Sequence, residues 1–400
     1  MEKMIARVPE FTFGQERQEI FTRMLLKLPT EIRRPMRELI LSFLQEMVRL
    51  DASDIDVGGM GCKGQIWYRV YGTKAPDESL GQYKHDESDI LILNLLSERD
   101  RETLFQNRSV DFSYSMEHED MMIRFRATAY FDLNHLSLNM RLINKSIRPL
   151  ESLGFHPNVL KVLNLNYVKQ GLVLITGITG SGKSTTLDSI VNANNHACKA
   201  HIVIISNPIE YVHQPIKAIV RHREVGRDVM SFKDGTIQSL RQDPDIIVIG
   251  EMRDAETIST VLEVADSGHK VFTTLHTSSA TEAIDRILGE TPSSEQNRIR
   301  ERLADVITCV ISQKLVPSMD GRLILAKEVM LATEAIKASI RNNHTDEIYH
   351  LIYQGGEMGM VTMEQDLVNL YRKKMISYQE AYSNANNKKR LTDIIKLYQV

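Results

Sequence analysis

One short glycine-rich segment constrains the possible folds of this chain more than any other stretch. Residues 177–184 read G-I-T-G-S-G-K-S, which has the spacing G-x-x-x-x-G-K-[ST]. They follow the apolar run 172–175 and precede a stretch, residues 185–193, that is compatible with a helix. Because the motif binds phosphates between a strand and a helix, both flanks agree with it. The sequence therefore predicts a phosphate-binding loop with a nucleoside triphosphate as its ligand.

Each residue type in this loop has a chemical role. Glycines let the backbone curl so that its N–H groups point inward, and the following helix adds a partial positive charge. Lys183 is expected to reach the β- and γ-phosphates, and the hydroxyl of Ser184 is expected to hold Mg²⁺. We expect ATP to be bound by the loop and the residue after it, namely Gly177, Ile178, Thr179, Gly180, Ser181, Gly182, Lys183, Ser184 and Thr185.

Composition limits what else the chain does. Its 400 residues suit two or three domains, and its charged fraction of 25% is that of an ordinary globular protein. The net charge of −3 gives no support to a nucleic-acid partner. The three cysteines are far apart, which argues against a disulfide framework or a paired-cysteine zinc site. With no apolar run near the roughly 18 residues of a membrane span, we expect a cytoplasmic protein that contacts membranes only through partners.

The first half has the pattern of a small α+β domain. Apolar side chains recur at helical spacing over 37–48, and a second helix is predicted over 86–96. Period-two alternation predicts an antiparallel sheet with strands at 52–57, 65–71, 110–114, 121–130 and 136–143. The first 40 or so residues, with prolines among scattered charges, predict an irregular arm or short helices.

A row of arginines stands out in that predicted sheet. Alternation puts Arg124 and Arg126 on the same face of one strand, and Arg141 lies on the next strand. One interpretation is a solvated strand face. The other is a cationic face that is presented to a nucleotide phosphate, including one bound by a neighbouring subunit.

The second half alternates apolar runs with helical segments. The runs at 172–175, 202–205, 245–249 and 271–274 predict a mainly parallel sheet covered on both faces. A segment over 148–157, with prolines at both ends, predicts a linker before it. A helix is predicted over 293–311, and a helical region from residue 333 onward, in which Ser377 and Glu380 form a capping box.

Residues that follow these runs are candidates for chemistry, because ligands bind at the carboxyl ends of parallel strands. Glu251 follows the third run. This is where P-loop NTPases place a carboxylate that holds Mg²⁺ through water. Glu210 follows the second run and is the candidate to orient or deprotonate the attacking water.

Two histidines bracket the fourth run. His269 and His276 are seven residues apart, which on a strand puts them on opposite faces and argues against a zinc pair. We expect them at the same rim as the other groups, as sensors of the γ-phosphate or as subunit contacts; buried, hydrogen-bonded histidines are the alternative.

Seven motifs in order give the chain a resemblance to a known family. They are 52–54, the Walker A loop 177–184, the Asp box 208–213, the Walker B segment 250–254, the His box 267–277, and the C-terminal segments 335–341 and 359–365. With them the chain resembles the hexameric type II/IV secretion ATPases, and within these the type IV pilus retraction ATPases (PilT-like). The resemblance departs at Ser206 and Asn207, where the family usually carries acids.

The resemblance implies a fold and a set of roles. It implies an N-terminal PAS-like α+β domain, a RecA-like P-loop NTPase core and a C-terminal helical region, with boundaries at 1–40 (arm), 41–146, 147–160 (linker), 161–332 and 333–400. Glu210 becomes the catalytic glutamate, Glu251 the Walker B acid, and His269 and His276 the His-box histidines. Arg124, Arg126 and Arg141 become candidate arginine fingers.

The resemblance also implies a function. It is that of a homohexameric ATPase at the inner face of the inner membrane, which uses MgATP hydrolysis to rotate domains and drive pilus retraction and twitching motility. Its implied partners are an inner-membrane pilus platform protein and an assembly ATPase. The alternatives are an ATPase of a related secretion or DNA-uptake machine, a nucleic-acid motor, and a regulatory subunit that hydrolyses poorly. The lack of a paired-cysteine zinc site, which pilus assembly ATPases carry, favours retraction.

Overall fold

The protein divides into two compact units, Met1–Lys145 and Ser146–Val400. The structure, a computed structural model, describes residues 1–118, 121–143 and 147–397. The expected boundary after residue 146 and the expected end of the C-terminal helical region at residue 400 lie outside these described residues. Each unit combines helices with a sheet of its own, so the expected mixture of α and β structure is confirmed.

The first unit contains the antiparallel sheet that alternation predicts. Its strands lie in the order β3-β2-β1-β6-β5-β4. Their bounds are β1 Asp54–Gly58, β2 Ile66–Val70, β3 Thr73–Asp77, β4 Ser109–His118, β5 Met121–Asp132 and β6 His135–Leu142. Strand β3 was not predicted, because its short polar sequence carries no alternation. On β5, Ile123, Phe125 and Ala127 are buried, which leaves the intervening residues on the opposite face.

The chain's first 40 residues contribute helices to the first unit. The bounds are α1 Glu2–Ile5, α2 Gly14–Lys27, α3 Thr30–Arg49, α4 His85–Leu95 and α5 Glu98–Asn107. Phe21 and Leu25 of α2 are fully buried in the same core as Phe43 of α3. These residues therefore form packed helices and not an irregular arm, since their apolar side chains have a sheet-backed core to enter.

Polar contacts also fasten α2 to α4, and α4 to strand β6 of the sheet. Arg17 donates to both oxygens of Asp86, at 2.8 and 2.6 Å, and Gln18 donates to the fully buried Asp89 at 2.6 Å. Asp89 accepts further from the backbone N–H of Leu136 at 2.7 Å and lies 2.9 Å from Nδ1 of His135. These contacts join Asp86, Asp89 and His135 in one network of ion pairs and hydrogen bonds.

The second unit is built on a mainly parallel sheet, as predicted. Its strands lie in the order β13-β12-β7-β11-β10-β8-β9, and β13 alone of them pairs antiparallel, with β12. The bounds are β7 Gly171–Thr176, β8 His201–Ser206, β9 Ile219–Glu224, β10 Ile246–Ile249, β11 Lys270–Leu275, β12 Ile307–Pro317 and β13 Leu323–Leu331. Strands β7, β10 and β11 are buried along their whole length.

Helices cover this sheet and form the end of the chain. They are α6 Pro157–Leu163, α7 Lys183–Ala197, α8 Phe232–Ser239, α9 Ala255–Asp266, α10 Ala280–Gly289, α11 Gln296–Val306, α12 Glu334–Arg341, α13 Ile348–Gln354, α14 Met363–Arg372, α15 Tyr378–Asn384 and α16 Lys388–Leu397. The predicted helix over 293–311 is wrong beyond Val306, where β12 begins. Residues 307–311 include β-branched side chains that pair with β7, and pairing with a buried strand overrides helical spacing. Ser377 caps α15 as predicted.

The C-terminal helices are fastened to the sheet through Lys314 of β12. Its ammonium donates to the carbonyl of Asn384 and to Oδ1 of Asn386, both at 2.7 Å. Asn386 in turn donates to the carbonyl of Ser278 at 3.0 Å. Strand β12 therefore connects the last helices to the segment that follows β11.

Candidate nucleotide-binding site

The loop 177–184 joins β7 to α7, as the sequence predicts. Gly177 has φ +150° and Gly182 has φ +86°, conformations that side chains rarely adopt. A Cβ atom on Gly177 would also lie 2.5 Å from the carbonyl oxygen of Gln313 and collide with the hydroxyl of Ser181. Ile178, Thr179 and Gly180 form an exposed tip. The curl of the loop thus depends on glycine at its closest approaches.

Lys183 closes the loop on itself. Its ammonium donates to the carbonyls of Gly177 at 2.7 Å and Ile178 at 3.0 Å. Burial lowers the pKa of Lys183, and the carboxylates of Glu251 and Glu210 act in the opposite direction. The ammonium of Lys183 is thus partly buried and held by two neutral carbonyls, whose hydrogen bonds a phosphate oxygen could take over.

Strand order brings the predicted groups to one edge of the sheet. His276 follows β11, Glu251 follows β10 and Glu210 follows β8, and these strands neighbour one another in that order from β7. Gly250 is fixed to the adjacent strand, since the hydroxyl of Thr274 donates to its carbonyl at 2.6 Å. The predicted convergence at the carboxyl edge is therefore present for these residues.

Glu251 lies between two cationic or polar groups. The guanidinium of Arg253 is 2.8 Å from its Oε2, and Nε2 of His276 is 3.9 Å from the same atom. The pKa of His276 is lowered by burial and then by the charge of Lys183. Lys183, His276 and Glu251 thus form a contiguous polar row beside the loop.

A cleft lies between α7 and the ends of β8 and β10. Its polar lining residues include Ser184, Asp188, Ser206 and Glu210, and most of the others are apolar. Hydroxyl and carboxylate oxygens are the ligands that Mg²⁺ takes in nucleotide sites, so the hydroxyl of Ser184 together with a nearby glutamate carboxylate fits that ion. Thr185 is exposed on the first turn of α7.

The structure separates His269 from this group. His269 precedes β11 and lies at the amino edge of the sheet, whereas His276 follows the same strand at the carboxyl edge. Its Nδ1 is 2.9 Å from the hydroxyl of Ser267 and 3.3 Å from the carbonyl of Val264. The expectation that both histidines share one rim is therefore wrong for His269, because a six-residue strand stands between them.

The three arginines share one face of the first unit's sheet, as alternation predicts. Arg126 is directly opposite Arg141 in the β5–β6 pair, and Arg124 is two residues along β5. Arg126 is exposed, whereas Nε of Arg141 lies 2.8 Å from Oδ1 of Asp54. Although burial raises the pKa of Asp54, the hydroxyl of Ser53 and the guanidinium of Arg141 hold it below its ordinary value.

Three residues at the site were not predicted. Gln313 of β12 donates to the carbonyl of Ser181 at 2.8 Å, and the side chain of Asp188 lies 3.0 Å from Nε2 of His213. The position of Gln313 depends on β12 pairing with β7, which the sequence does not reveal. Asp188 did carry a signal, because it is four residues after Ser184 and so on the same helix face.

Comparison with known proteins finds a matching family model and several similar proteins. The family model described as "Type II/IV secretion system protein" matches residues 30–398. The type IV pilus retractation ATPase PilT of Pseudomonas aeruginosa is 37% identical over 307 residues, which are 77% of this chain and 88% of that protein. A twitching motility protein of Neisseria gonorrhoeae is 36% identical, over 77% of this chain and 81% of its own.

A solved structure is similar over most of its length. The pilus retraction motor PilT with bound ADP has a TM-score of 0.80 and 35% identity, and the match covers 88% of this chain and 99% of that one.

Across the described ranges of this chain, the structure has no helix that is both long and apolar enough to cross a membrane.

Proposed function

Since the chain belongs to the type II/IV secretion system protein family, we propose that it is a homohexameric ATPase that drives the retraction of type IV pili, and with it twitching motility. The proposal rests on the carboxyl edge of the second unit's sheet. There Glu251 and Glu210 lie near Lys183 of the phosphate-binding loop. Two of the relatives are named for pilus retraction and for twitching motility. This favours the proposed function over that of the related secretion or DNA-uptake machines.

ATP is the substrate that this edge would bind. The loop residues Gly177 to Ser184 would surround its phosphates with backbone N–H groups, and Thr185 would lie at the helix start beside them. Lys183 would exchange the carbonyls of Gly177 and Ile178 for phosphate oxygens. That exchange replaces two neutral acceptors by charged ones, which strengthens the hydrogen bonds of the ammonium.

The carboxylates have separate roles. Ser184 and, through water, Glu251 would hold Mg²⁺, which neutralises phosphate charge when it is bound. Glu210 would orient the attacking water and accept its proton, because it lines the cleft beside Ser184. His276 would contact the γ-phosphate, because its Nδ1 lies beside the ammonium of Lys183. His269 would be either a contact between subunits or a structural residue held by Ser267 and the carbonyl of Val264.

A neighbouring copy would complete the site. We propose that Arg124, Arg126 or Arg141 reaches the phosphates bound by an adjacent subunit and stabilises the negative charge of the transition state. Arg126 is favoured over Arg141 because Arg141, although its side chain is 67% exposed, is paired with Asp54. Hydrolysis would then be coupled to rotation of one domain against the next.

The proposal includes a domain division and partners. The domains would be packed N-terminal helices at 1–40, a PAS-like domain at 41–146, a linker at 147–160, a RecA-like core at 161–332 and a C-terminal helical region at 333–400. The partners would be an inner-membrane pilus platform protein and an assembly ATPase, with the hexamer at the cytoplasmic face of that membrane. No nucleic acid is required.

The decisive experiment measures ATP hydrolysis and assembly size of the purified full-length chain, with and without the cytoplasmic domain of the platform protein. We expect a hexamer whose turnover changes when the platform domain is added. Lys183→Ala should abolish hydrolysis, whereas Lys233→Ala, an exposed lysine paired with Glu256, should not change it.

Three results would reject the proposal. Undiminished turnover in Lys183→Ala would refute the site assignment. Binding of ATP without any hydrolysis would identify a regulatory subunit. Stimulation by DNA or RNA, with no response to the platform domain, would identify a nucleic-acid motor.

A further inference from the structure

Asp188 lies at the nucleotide cleft and has no role in the site proposed above. It is on α7, four residues after Ser184, and its side chain is 24% exposed. It lines the same cleft as Ser184 and Glu210. A carboxylate one helical turn from the phosphate-binding residues is therefore placed to act on the opposite wall of the cleft.

Its partner is a histidine on the segment that carries Glu210. Nε2 of His213 lies 3.0 Å from Oδ1 of Asp188, and His213 is 2% exposed. Nδ1 of His213 is buried and has no hydrogen-bond partner among the residues that the structure describes. A proton on Nδ1 would be left unpaired, so the proton is assigned to Nε2, which donates to Asp188.

His213 is held from a second side as well. Its backbone N–H donates to Nε2 of His222 on β9 at 3.0 Å, and the two rings stack with centroids 6.0 Å apart. Tyr211, which lines the cleft, meets the His213 ring edge-on at 4.8 Å. The segment is therefore anchored at His213, three residues after Glu210, and at the buried Ile209 before it.

We propose that Asp188 is a positioning residue for Glu210, acting through the hydrogen bond that it accepts from His213. The contact joins α7, which presents Lys183 and Ser184, to the segment that presents the water-activating carboxylate. A fixed distance between these two elements matters because a misplaced catalytic group loses rate without losing substrate affinity. The proposal rests on the ATPase function proposed above.

The test compares variants of Asp188 in steady-state hydrolysis by the full-length hexamer. Asp188→Ala should lower kcat by about tenfold or more, while the affinity for a fluorescent non-hydrolysable ATP analogue stays the same. Asp188→Asn keeps an oxygen that accepts from Nε2 of His213, so it should retain most of the turnover. Asp285→Ala, an exposed aspartate on α10, is the matched control.

A double-variant cycle isolates the contact. His213→Ala should lower kcat as Asp188→Ala does, and the pair together should lower it no further, because both remove one interaction. If Asp188→Ala does not fold, Asp188→Ser takes its place, since the shorter side chain does not reach the ring.

Each opposing result is distinct. Wild-type kcat in the Ala or Ser variant overturns the inference, and so does Asp188→Asn being as slow as Asp188→Ala, which would assign the effect to charge. Parallel losses of kcat and analogue affinity, or additive losses in the double variant, also overturn it. If the wild-type chain hydrolyses no ATP, the proposed function fails first and this inference fails with it.

Discussion

The ammonium nitrogen of Lys183 lies 3.5 Å from Nδ1 of His276. Burial and the charge of Lys183 lower the pKa of His276, which favours the neutral ring, and in that ring Nδ1 is placed to accept from the ammonium. The proton is then on Nε2, which faces Oε2 of Glu251 at 3.9 Å. Lys183 is thus held by carbonyls of its own loop on one side and by His276, which follows the neighbouring strand β11, on the other.

Glu210 should separate binding from turnover. Because its carboxylate acts on water and not on the phosphates, Glu210→Ala should bind the ATP analogue normally and lose roughly 10²- to 10⁴-fold in kcat. Fluorescence titration and a phosphate-release assay measure the two effects. Glu256→Ala, a largely exposed glutamate on α9, should keep both values. Undiminished turnover in Glu210→Ala would send the catalytic role to another residue.

Gln313 should contribute to nucleotide affinity without touching the nucleotide. Gln313→Ala removes the donor to the Ser181 carbonyl, and losing the partner of a buried acceptor costs about 1–3 kcal/mol. If that cost falls on the nucleotide-bound loop, we expect the Kd of the ATP analogue to rise roughly 5- to 150-fold. Isothermal titration calorimetry tests this, with the exposed Gln379→Ala as control. An unchanged Kd would show that the loop keeps its shape without β12.

The arginines should act between copies. Arg126→Ala keeps an intact phosphate loop, and Lys183→Ala keeps an intact arginine. When the two inactive chains are co-expressed at equal levels, about a quarter of the subunit interfaces combine an intact loop with an intact arginine. Activity should return at those interfaces. Arg124→Ala and Arg141→Ala are compared in the same way. The absence of recovery with all three arginine variants would rule out a finger on this face.

The buried carboxyl of Glu328 should make stability depend on pH. Burial raises its pKa from 4.5 to about 7, although the Ala280 N–H donates to it. The folded state then holds a proton that the unfolded state releases, so the free energy of unfolding falls as pH rises from about 4.5 to 7. Glu328→Gln lacks this fall, and its stability relative to wild type should rise by about 3 kcal/mol across that window.

Urea unfolding followed by far-ultraviolet circular dichroism at several pH values measures this difference. Glu334→Gln, a glutamate with an 87% exposed side chain, should keep a constant difference from wild type. Curves for Glu328→Gln and wild type that stay parallel from pH 4.5 to 8 would contradict the prediction.

Local sequence determined the phosphate loop and the elements around it. The glycine spacing, the apolar run before it and the helical stretch after it involve neighbours in the chain, so sequence alone reveals their arrangement. Glu210 and Glu251 could also be assigned to one edge, because parallel strands end on the same side. Alternation likewise placed Arg124 and Arg126 on one face.

Only the tertiary structure decided which distant residues meet. The pairing of β12 with β7 turned a predicted helix end into a strand and brought Gln313 to the loop. The length of β11 separated His269 from His276. The contact of Asp188 with His213 joins residues 25 positions apart. Such contacts depend on how buried surfaces pack across the sheet, and local periodicity contains no information about which strand lies beside which.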